Sequence, residues 1–513
     1  MGAGHDRIPA RDRKRSLLNT RPTLPQTPAD HVNAALAAFQ RRDRDTAAAH
    51  LAHAVRTGRD FGAKWGAVSR LASTIGSISD ALTAAERYAR VDPSDPAPRL
   101  AYGEMLALHG RAEAACDVGR ALTIEQPGNS AGWHFLGTCL AQIGEIEASN
   151  AALRHAMSLR NDASAMAWSW QALTESKTFA DGDPDLQSML DLLPRLPNGP
   201  AGDEARSVLK YALGKAWDDL GEIERAFAAY SEGAAIMQRL RGYKAADTDA
   251  FVNQVIQGWT PDFSARLPAV EARSKRPIFV FGLPRSGTTL IEQILVSHAD
   301  VADGAEINYF STAAMPIQGF TPAAVATFAA SQGAAGFDAI GRAYLAMLGE
   351  RFGPEGRIVD KTLNHSRYLG LIRHVLPDAR FIWLKRSAGA VAWSCFRTRF
   401  SQGVDWSWSQ EDMGRYFRGE DRLREHWTDQ LGDAVLTLPY DELVGDIEPW
   451  IDRILQHVGL SPQAGLSDFH KTRRAVTTAS FAQVRKPLYT SSREAWRRYE
   501  SHLAPFFKAY QEG

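Results

Sequence analysis

The sequence predicts two unlike halves: an all-α repeat solenoid, then an α/β domain built on a parallel sheet. Three observations predict this. Residues 30–245 are Ala-rich, carry helical periodicity and contain almost no strand signals. Small residues and prolines in that half recur every 34 positions. From about residue 270, short β-branched or aromatic runs alternate with helical segments, the grammar of a sheet with helices on both faces.

The repeat rests on several coincident spacings. Gly76, Gly110 and Gly144 are 34 apart, as are Pro93 and Pro127, Gly103 and Gly137, and Leu106 and Leu140. Ala47, Ala81 and Ala115 keep the step, with Ser149 next. Small residues let paired helices approach, Gly sits in the turn and Pro ends the unit; an irregular bundle has no reason to repeat them together. Trp133-x-x-Leu136-Gly137 resembles the start of the tetratricopeptide (TPR) pattern, so an all-α TPR solenoid is expected over 29–250, after a tail at 1–28 rich in Arg, Pro and Thr. A further helix pair over Leu209–Tyr230 is out of phase because 175–204 insert a Pro/Asp-rich stretch. Such an array offers a concave face, which either binds a peptide or partner protein or packs against the chain's own second domain.

In the second half, strands are expected at Ile278–Phe281, Arg357–Asp360, Arg380–Leu384 and Ala434–Leu438, with helices at Tyr368–Val375, Ala390–Phe400 and Pro449–Val458. Ligands of such sheets bind at the carboxyl ends of the strands, and polar clusters follow several of these runs. The first is Gly282-Leu-Pro284-Arg285-Ser286-Gly287-Thr288-Thr289. Strand, small-residue loop and helix N-terminus make a phosphate cradle, because backbone N–H groups and the helix dipole converge on an anion. The spacing is P-loop-like, but Thr288 stands where a nucleoside-triphosphate loop has its lysine, which argues against ATP or GTP hydrolysis. A ligand-free strand–helix turn is the plain alternative for this motif alone.

The other clusters are Val359-Asp-Lys361-Thr362, then Phe381 to Arg386 with Ser394 eight residues beyond, then Leu438-Pro-Tyr440. Last comes Ser480-Phe-Ala-Gln483-Val484-Arg485-Lys486-Pro487, dense in hydrogen-bonding side chains and without regular periodicity, as in a functional loop. Each alone has an ordinary reading: a surface pair, a half-buried aromatic, a polar loop. Arg397 and Arg399 follow Ser394 on the same helix and leave open which of them reaches an anion.

Composition bounds the classes. A chain of 513 residues suggests two to four domains. Lys+Arg and Asp+Glu both number 59, so any anion site is local and no global field favours nucleic acid or membrane. Three cysteines without paired spacing argue against a disulfide framework and a Cys-based zinc site, and fit a reducing cytoplasm. No apolar run approaches the roughly 20 residues of a membrane span, and no apolar stretch follows the basic N-terminus, so neither a span nor a secretory signal is expected.

Taken in order across 276–505, these clusters resemble the sulfotransferases, nearest to the protein-tyrosine branch and to bacterial TPR–sulfotransferase fusions. Pro-Arg-Ser-Gly-Thr-Thr-Leu resembles the 5′-phosphosulfate loop, and Ser-x-x-Gln-Val-x-Lys-Pro the C-terminal donor-binding loop of that branch. Arg386 departs from the common Arg-x-Pro-x-Asp wording, being followed by Ser-Ala-Gly-Ala. The resemblance implies a P-loop-like parallel-sheet sulfotransferase domain over 270–513, with 3′-phosphoadenosine 5′-phosphosulfate (PAPS) as donor and no metal. It implies donor contacts from Pro284, Arg285, Ser286, Gly287, Thr288 and Thr289, with Arg386 and Ser394 on the 3′-phosphate, Tyr440 on adenine and Lys486 as a further contact. It implies catalytic roles for Arg285, Lys361 and Ser480 on the transferring sulfate and for Glu306 as base, 17 residues after Thr289. His298 and His365 are the alternative bases. The implied acceptor is a protein or peptide tyrosine, presented by the TPR groove; carbohydrate and small-molecule hydroxyls, and an adaptor with an inactive domain, are the other readings. The acceptor pocket is expected from 305–350 and 400–430, where Trp406 and Trp408 lie.

Overall fold

The computed structural model describes residues 25–160, 162–304, 306–471 and 494–512. Its first half is a stack of helix pairs: α1 (Pro28–Gln40), α2 (Arg44–Thr57), α3 (Trp65–Thr74), α4 (Ile78–Ala89), α5 (Pro96–Leu108), α6 (Ala112–Glu125), α7 (Ser130–Ile143), α8 (Ile146–Ser158) and α9 (Ala163–Ser176). The second helices of four successive pairs start at Arg44, Ile78, Ala112 and Ile146, each 34 residues after the last. Two residues before each start the backbone turns left-handed: Gly76, Gly110 and Gly144 have φ of +76°, +74° and +89°, and Arg42 holds the equivalent place at +63°. That conformation costs glycine nothing, which explains the 34-residue glycine step. Small residues also set the helix spacing: a Cβ on Gly137 would lie 2.7 Å from Leu153, and Ser149 Oγ donates to the Gly137 carbonyl at 2.7 Å.

The expected insertion forms α10 (Pro184–Leu192), and the out-of-phase pair is α11 (Pro200–Asp219) with α12 (Ile223–Arg241), both longer than the sequence pattern indicated. The same left-handed turn, at Gly221 (φ +78°), precedes α12. Helices α13 (Ala245–Gly258) and α14 (Pro261–Arg266) lead into the second half.

There, β1 (Pro277–Gly282), β2 (Val301–Asp303), β3 (Arg357–Asp360), β4 (Arg380–Lys385) and β5 (Val435–Pro439) form one sheet in the order β2-β3-β1-β4-β5. Every pairing is parallel, with Phe279 opposite Phe381 and Ile278 opposite Val359. Helices follow in chain order: α15 (Thr288–Val296), α16 (Tyr309–Ala313), α17 (Pro322–Phe352, interrupted at Gly333), α18 (Leu369–Val375), α19 (Ala388–Phe396), α20 (Gln410–Leu431), α21 (Tyr440–Gly445), α22 (Ile447–Val458) and α23 (Ala504–Gln511). Strand β1 is buried along its whole length, as a sheet covered on both faces requires. Alternate residues serve opposite sides: Ile278 and Val280 pack with Ile291, Leu295 and Ile454, while Phe279 and Phe281 pack with Tyr344, Ile372 and Trp383.

That second layer is continuous with the solenoid. Trp65, Ile75 and Leu106 share one apolar core with Tyr344, Met347 and Phe381. Ser79 N–H donates to Glu350 at 2.7 Å at the surface, and in partly buried pairs Arg397 meets Asp218 at 3.1 Å and Arg399 meets Glu204 at 3.0 Å. The solenoid thus packs on the chain's own α/β half. Among the described residues no helix is long and apolar enough to cross a membrane.

Candidate active site

The loop between β1 and α15 is shaped by contacts from two neighbouring strands. Gly282 has φ of +152°, and a Cβ there would sit 2.7 Å from the Leu384 carbonyl of β4. Arg285 adopts φ of +66°, unusual for a non-glycine residue, and is held from three directions. Its Nε donates to Ser394 Oγ at 3.0 Å, its carbonyl accepts from Arg386 Nη1 at 3.1 Å, and Cys395 Sγ lies 3.4 Å from the preceding Pro284 carbonyl. Gly287, at φ +109°, caps α15, with no side-chain hydrogen bond to the helix end among the described residues. The first-turn N–H groups of that helix therefore face the hollow of the loop.

Tyr440, the first residue of α21 directly after β5, lies flat against Gly287, and the Arg386 guanidinium stacks on its ring 4.4 Å from the centroid. The ends of β1, β4 and β5 thus bring Arg285, Arg386, Ser394 and Tyr440 into one place although 155 residues of chain separate the first from the last. Ser286 Oγ, 1% exposed, has no hydrogen-bond partner among the described residues. A buried hydroxyl in a left-handed loop over a helix N-terminus suits an anionic ligand, whose oxygens would accept from it.

A second cluster lies beside the loop. Lys361, fully buried after β3, places Nζ 3.4 Å from Glu292 Oε2 of α15 and 3.2 Å from Glu306 Oε1. Burial works against the ammonium, but the two carboxylates outweigh it and hold its pKa above the usual lysine value. Glu306 is the outward member, with 45% of its side chain exposed. Neither histidine candidate borders the cavity described next. His365 is fully buried and bonded to Asp360 at 3.1 Å, in a network where Asp360 also accepts from Tyr344 at 2.9 Å and Thr362 at 2.7 Å. His298 accepts from the Asp300 N–H at 3.1 Å and donates to the Ser461 carbonyl at 3.0 Å.

Both clusters open into a cavity of about 860 Å³ between the two halves of the molecule. Its floor is the loop with Glu306, Arg386, Ser394 and Tyr440, and its side is the stretch Arg397–Val404 with Trp406 and Tyr416. Its roof is the solenoid. Helix α7 contributes His134, Gly137, Thr138 and Ala141, and α9 contributes Trp168, Gln171, Ala172 and Glu175, each set spaced three and four apart on one helical face. Glu175 is exposed on the cavity wall.

The expected acceptor stretches fare differently. Residues 400–404, Trp406, Tyr416 and Glu420 line the cavity, and Trp406 stacks on Tyr416 at 4.3 Å. Among the described residues of 305–350, Glu306 and Asn308 do so, and α16 and α17 spend their apolar faces (Phe310, Phe337, Tyr344, Leu348) on the core shared with the solenoid. Trp408 lies edge-on to Tyr211. Arg397 and Arg399 both border the cavity and both pair with solenoid carboxylates, Asp218 and Glu204. Ser480 and Lys486 lie outside the described residues. Sequence reasoning offered the solenoid packing on the second domain, but missed Glu292 and the residues of α7 and α9 that form the roof. An acidic residue inside the apolar run Thr-Thr-Leu-Ile-Glu-Gln-Ile-Leu-Val was the available signal for Glu292; α7 and α9 carried none, since which face meets the other half depends on how the halves dock. Among the described residues no group of three or more His, Cys, Asp or Glu is placed to hold a metal ion.

Residues 277–464 match the family model described as the sulfotransferase family. The chain is 30% identical over 338 residues to an uncharacterized protein of Aquifex aeolicus (strain VF5), covering 63% of this chain and 44% of that protein. It is 24% identical over 236 residues to protein-tyrosine sulfotransferase 1 of Danio rerio, covering 43% of this chain and 65% of that one. The chain therefore spans less than two thirds of either relative's length. Among solved structures, the sulfotransferase domain of the Synechococcus PCC 7002 olefin synthase aligns with a TM-score of 0.35 at 20% identity, over 45% of this chain and 91% of that domain. Residues 277–464 are a domain of the sulfotransferase family.

Proposed function

We propose that this protein transfers the sulfuryl group of PAPS to a hydroxyl acceptor, with a protein or peptide tyrosine as the acceptor class. The observation that carries the reading is the meeting of Arg285, Arg386, Ser394 and Tyr440 over a helix N-terminus that has Thr288 in place of a P-loop lysine. The loop of 282–289 takes the 5′-phosphosulfate, Arg386 and Ser394 the 3′-phosphate, and Tyr440 packs beside the adenine. Sulfuryl transfer proceeds in line through a loose transition state, so positioning and charge stabilisation do most of the catalysis, as in phosphoryl transfer. Arg285 and the charged Lys361 supply positive potential where the leaving phosphate develops charge. Glu306 is the proton acceptor that the sequence points to. A tyrosine phenol, with pKa near 10, suits a carboxylate base better than an aliphatic hydroxyl does. The likeness to the Danio rerio enzyme supports tyrosine as acceptor. In this reading the unit 29–250 is the repeat domain and 270–513 the catalytic one.

The test is calorimetric binding of 3′,5′-adenosine bisphosphate (PAP), the spent donor, compared with ADP and with ATP plus magnesium. Tight binding that needs the 3′-phosphate is expected. Absence of binding, or preference for magnesium-ATP, rejects the reading.

A further inference from the structure

The roof of the cavity carries an aromatic ring that the donor reading leaves without a task. Trp168 of α9 borders the cavity and is 39% exposed, while every other described tryptophan and phenylalanine is half-buried or buried. An indole gains little from standing in water, so a ring kept open to a cavity is suited to being covered by a ligand. The ring is also held from behind. The Arg399 guanidinium lies over it, 4.7 Å from the centroid. Arg399 is itself 3% exposed and is fixed by Glu204 of α11 at 3.0 Å and by Met237 Sδ of α12 at 3.7 Å. Such a ring loses little freedom when a partner stacks on it.

We propose that Trp168, supplied by the repeat domain, is a stacking platform for the acceptor peptide: it takes an aromatic side chain a few residues from the tyrosine that is sulfated. The proposal rests on the sulfotransferase reading above and names a feature of its acceptor.

The chain ties this platform to the donor site. Arg399 lies five residues after Ser394, whose Oγ accepts from Arg285 Nε at 3.0 Å, and Thr398 Oγ1 donates back to the Ser394 carbonyl at 2.7 Å. Five residues span at most about 18 Å. An extended peptide advances roughly 3.3 Å per residue, so three residues on either side of the reacting tyrosine reach about 10 Å each way.

Charge selects the class of the flanking group. A cation on one face of the indole already uses the ring quadrupole and repels a second cation, which disfavours lysine and arginine. A carboxylate would meet the negative face of the ring, and the neighbouring Arg397 and Arg399 are already paired with Asp218 and Glu204. A neutral aromatic ring stacks without either cost.

The experiment uses the full chain and its Trp168→Ala, Trp168→Leu and Trp168→Phe variants. The acceptors are heptapeptides with a central tyrosine among alanines and serines, either with no other ring or with one phenylalanine at each of the remaining positions in turn. Transfer from labelled PAPS gives kcat and KM, and PAP calorimetry reports the donor site and the fold. At least one phenylalanine position is expected to raise kcat/KM about threefold or more over the ring-free peptide, mostly through KM, as one stacked pair would. Trp168→Ala and Trp168→Leu should lose that preference while still binding PAP, and Trp168→Phe should keep part of it. The proposal is overturned if no position is preferred, or if the preference survives in Trp168→Leu. An equal loss for all peptides in that variant is such a survival, and would put the reacting phenol itself on Trp168. Loss of PAP binding in both Trp168→Ala and Trp168→Leu also overturns it, because the ring is then structural. So does a wild-type protein that binds PAP but sulfates none of the peptides. Failure of the wild-type protein to bind PAP rejects the sulfotransferase reading itself, a separate result.

Discussion

Replacing Gly287 with alanine probes the donor loop at its tightest point. Two terms set the expected size. The backbone there has φ of +109°, and an L-residue in left-handed territory costs about 1–2 kcal/mol. The new Cβ would also lie 2.6 Å from Tyr440 Cε2, about 1 Å inside ordinary carbon–carbon contact, so the ring must move. Moving it breaks the stacking of Arg386 on Tyr440, which is worth about 0.5–1 kcal/mol. Together these give roughly 1.5–3 kcal/mol, or about a 12–150-fold rise in the Kd for PAP if the loss falls on the bound state. Calorimetry measures this directly. The double variant Gly287→Ala/Tyr440→Ala should lose less than the sum of the two single changes, because removing the ring removes the clash. Binding by Gly287→Ala within twofold of wild type, or strict additivity in the double variant, would refute the claim that ring and loop form one rigid cradle.

Two further outcomes follow from the geometry. Arg386→Ala removes the guanidinium that holds the Arg285 carbonyl and covers Tyr440, so PAP affinity should fall at least tenfold and discrimination against adenosine 5′-monophosphate should shrink; equal losses for both nucleotides would place Arg386 away from the 3′-phosphate. Asp218→Ala strips one acceptor from Arg397 (3.1 Å), Arg498 (3.0 Å) and Tyr499 (2.7 Å) at the seam of the two halves; a loss of about 3 kcal/mol is expected from urea unfolding, and an unchanged midpoint would show the seam to be held elsewhere.

Much of the molecule was legible because local chemistry dictated it. The 34-residue glycine step marks a left-handed turn that almost any other residue resists, and Arg42 shows the position can be filled once at some strain. Strands β1, β3, β4 and β5 stood out as short apolar runs, each ending in a polar cluster. Strand β2, only three residues long, carried too little pattern to be seen. The site was legible where one segment held all its parts, as in 282–289, and illegible where partners came from afar. Glu292 becomes meaningful only beside Lys361, and the cavity-facing side of α9 only once that helix lies over the loop. The prolonged helix α17 shows the opposite error: a stretch assigned to the acceptor pocket is spent on joining the halves.

The attachment of the solenoid at both ends has a mechanical consequence. Near its N-terminal end it is pinned to α17: Ser79 bonds Glu350, and the turn at Gly76 sits so close on Met347 that a single added carbon would collide. Farther along the chain it is pinned to α19 and its sequel through Glu204 and Asp218. The helices over the cavity, α7 and α9, lie between these two abutments, so the repeat array is an arch. An arch cannot swing open like a door without shearing an abutment. Whatever enters the cavity passes beneath the span or flexes it.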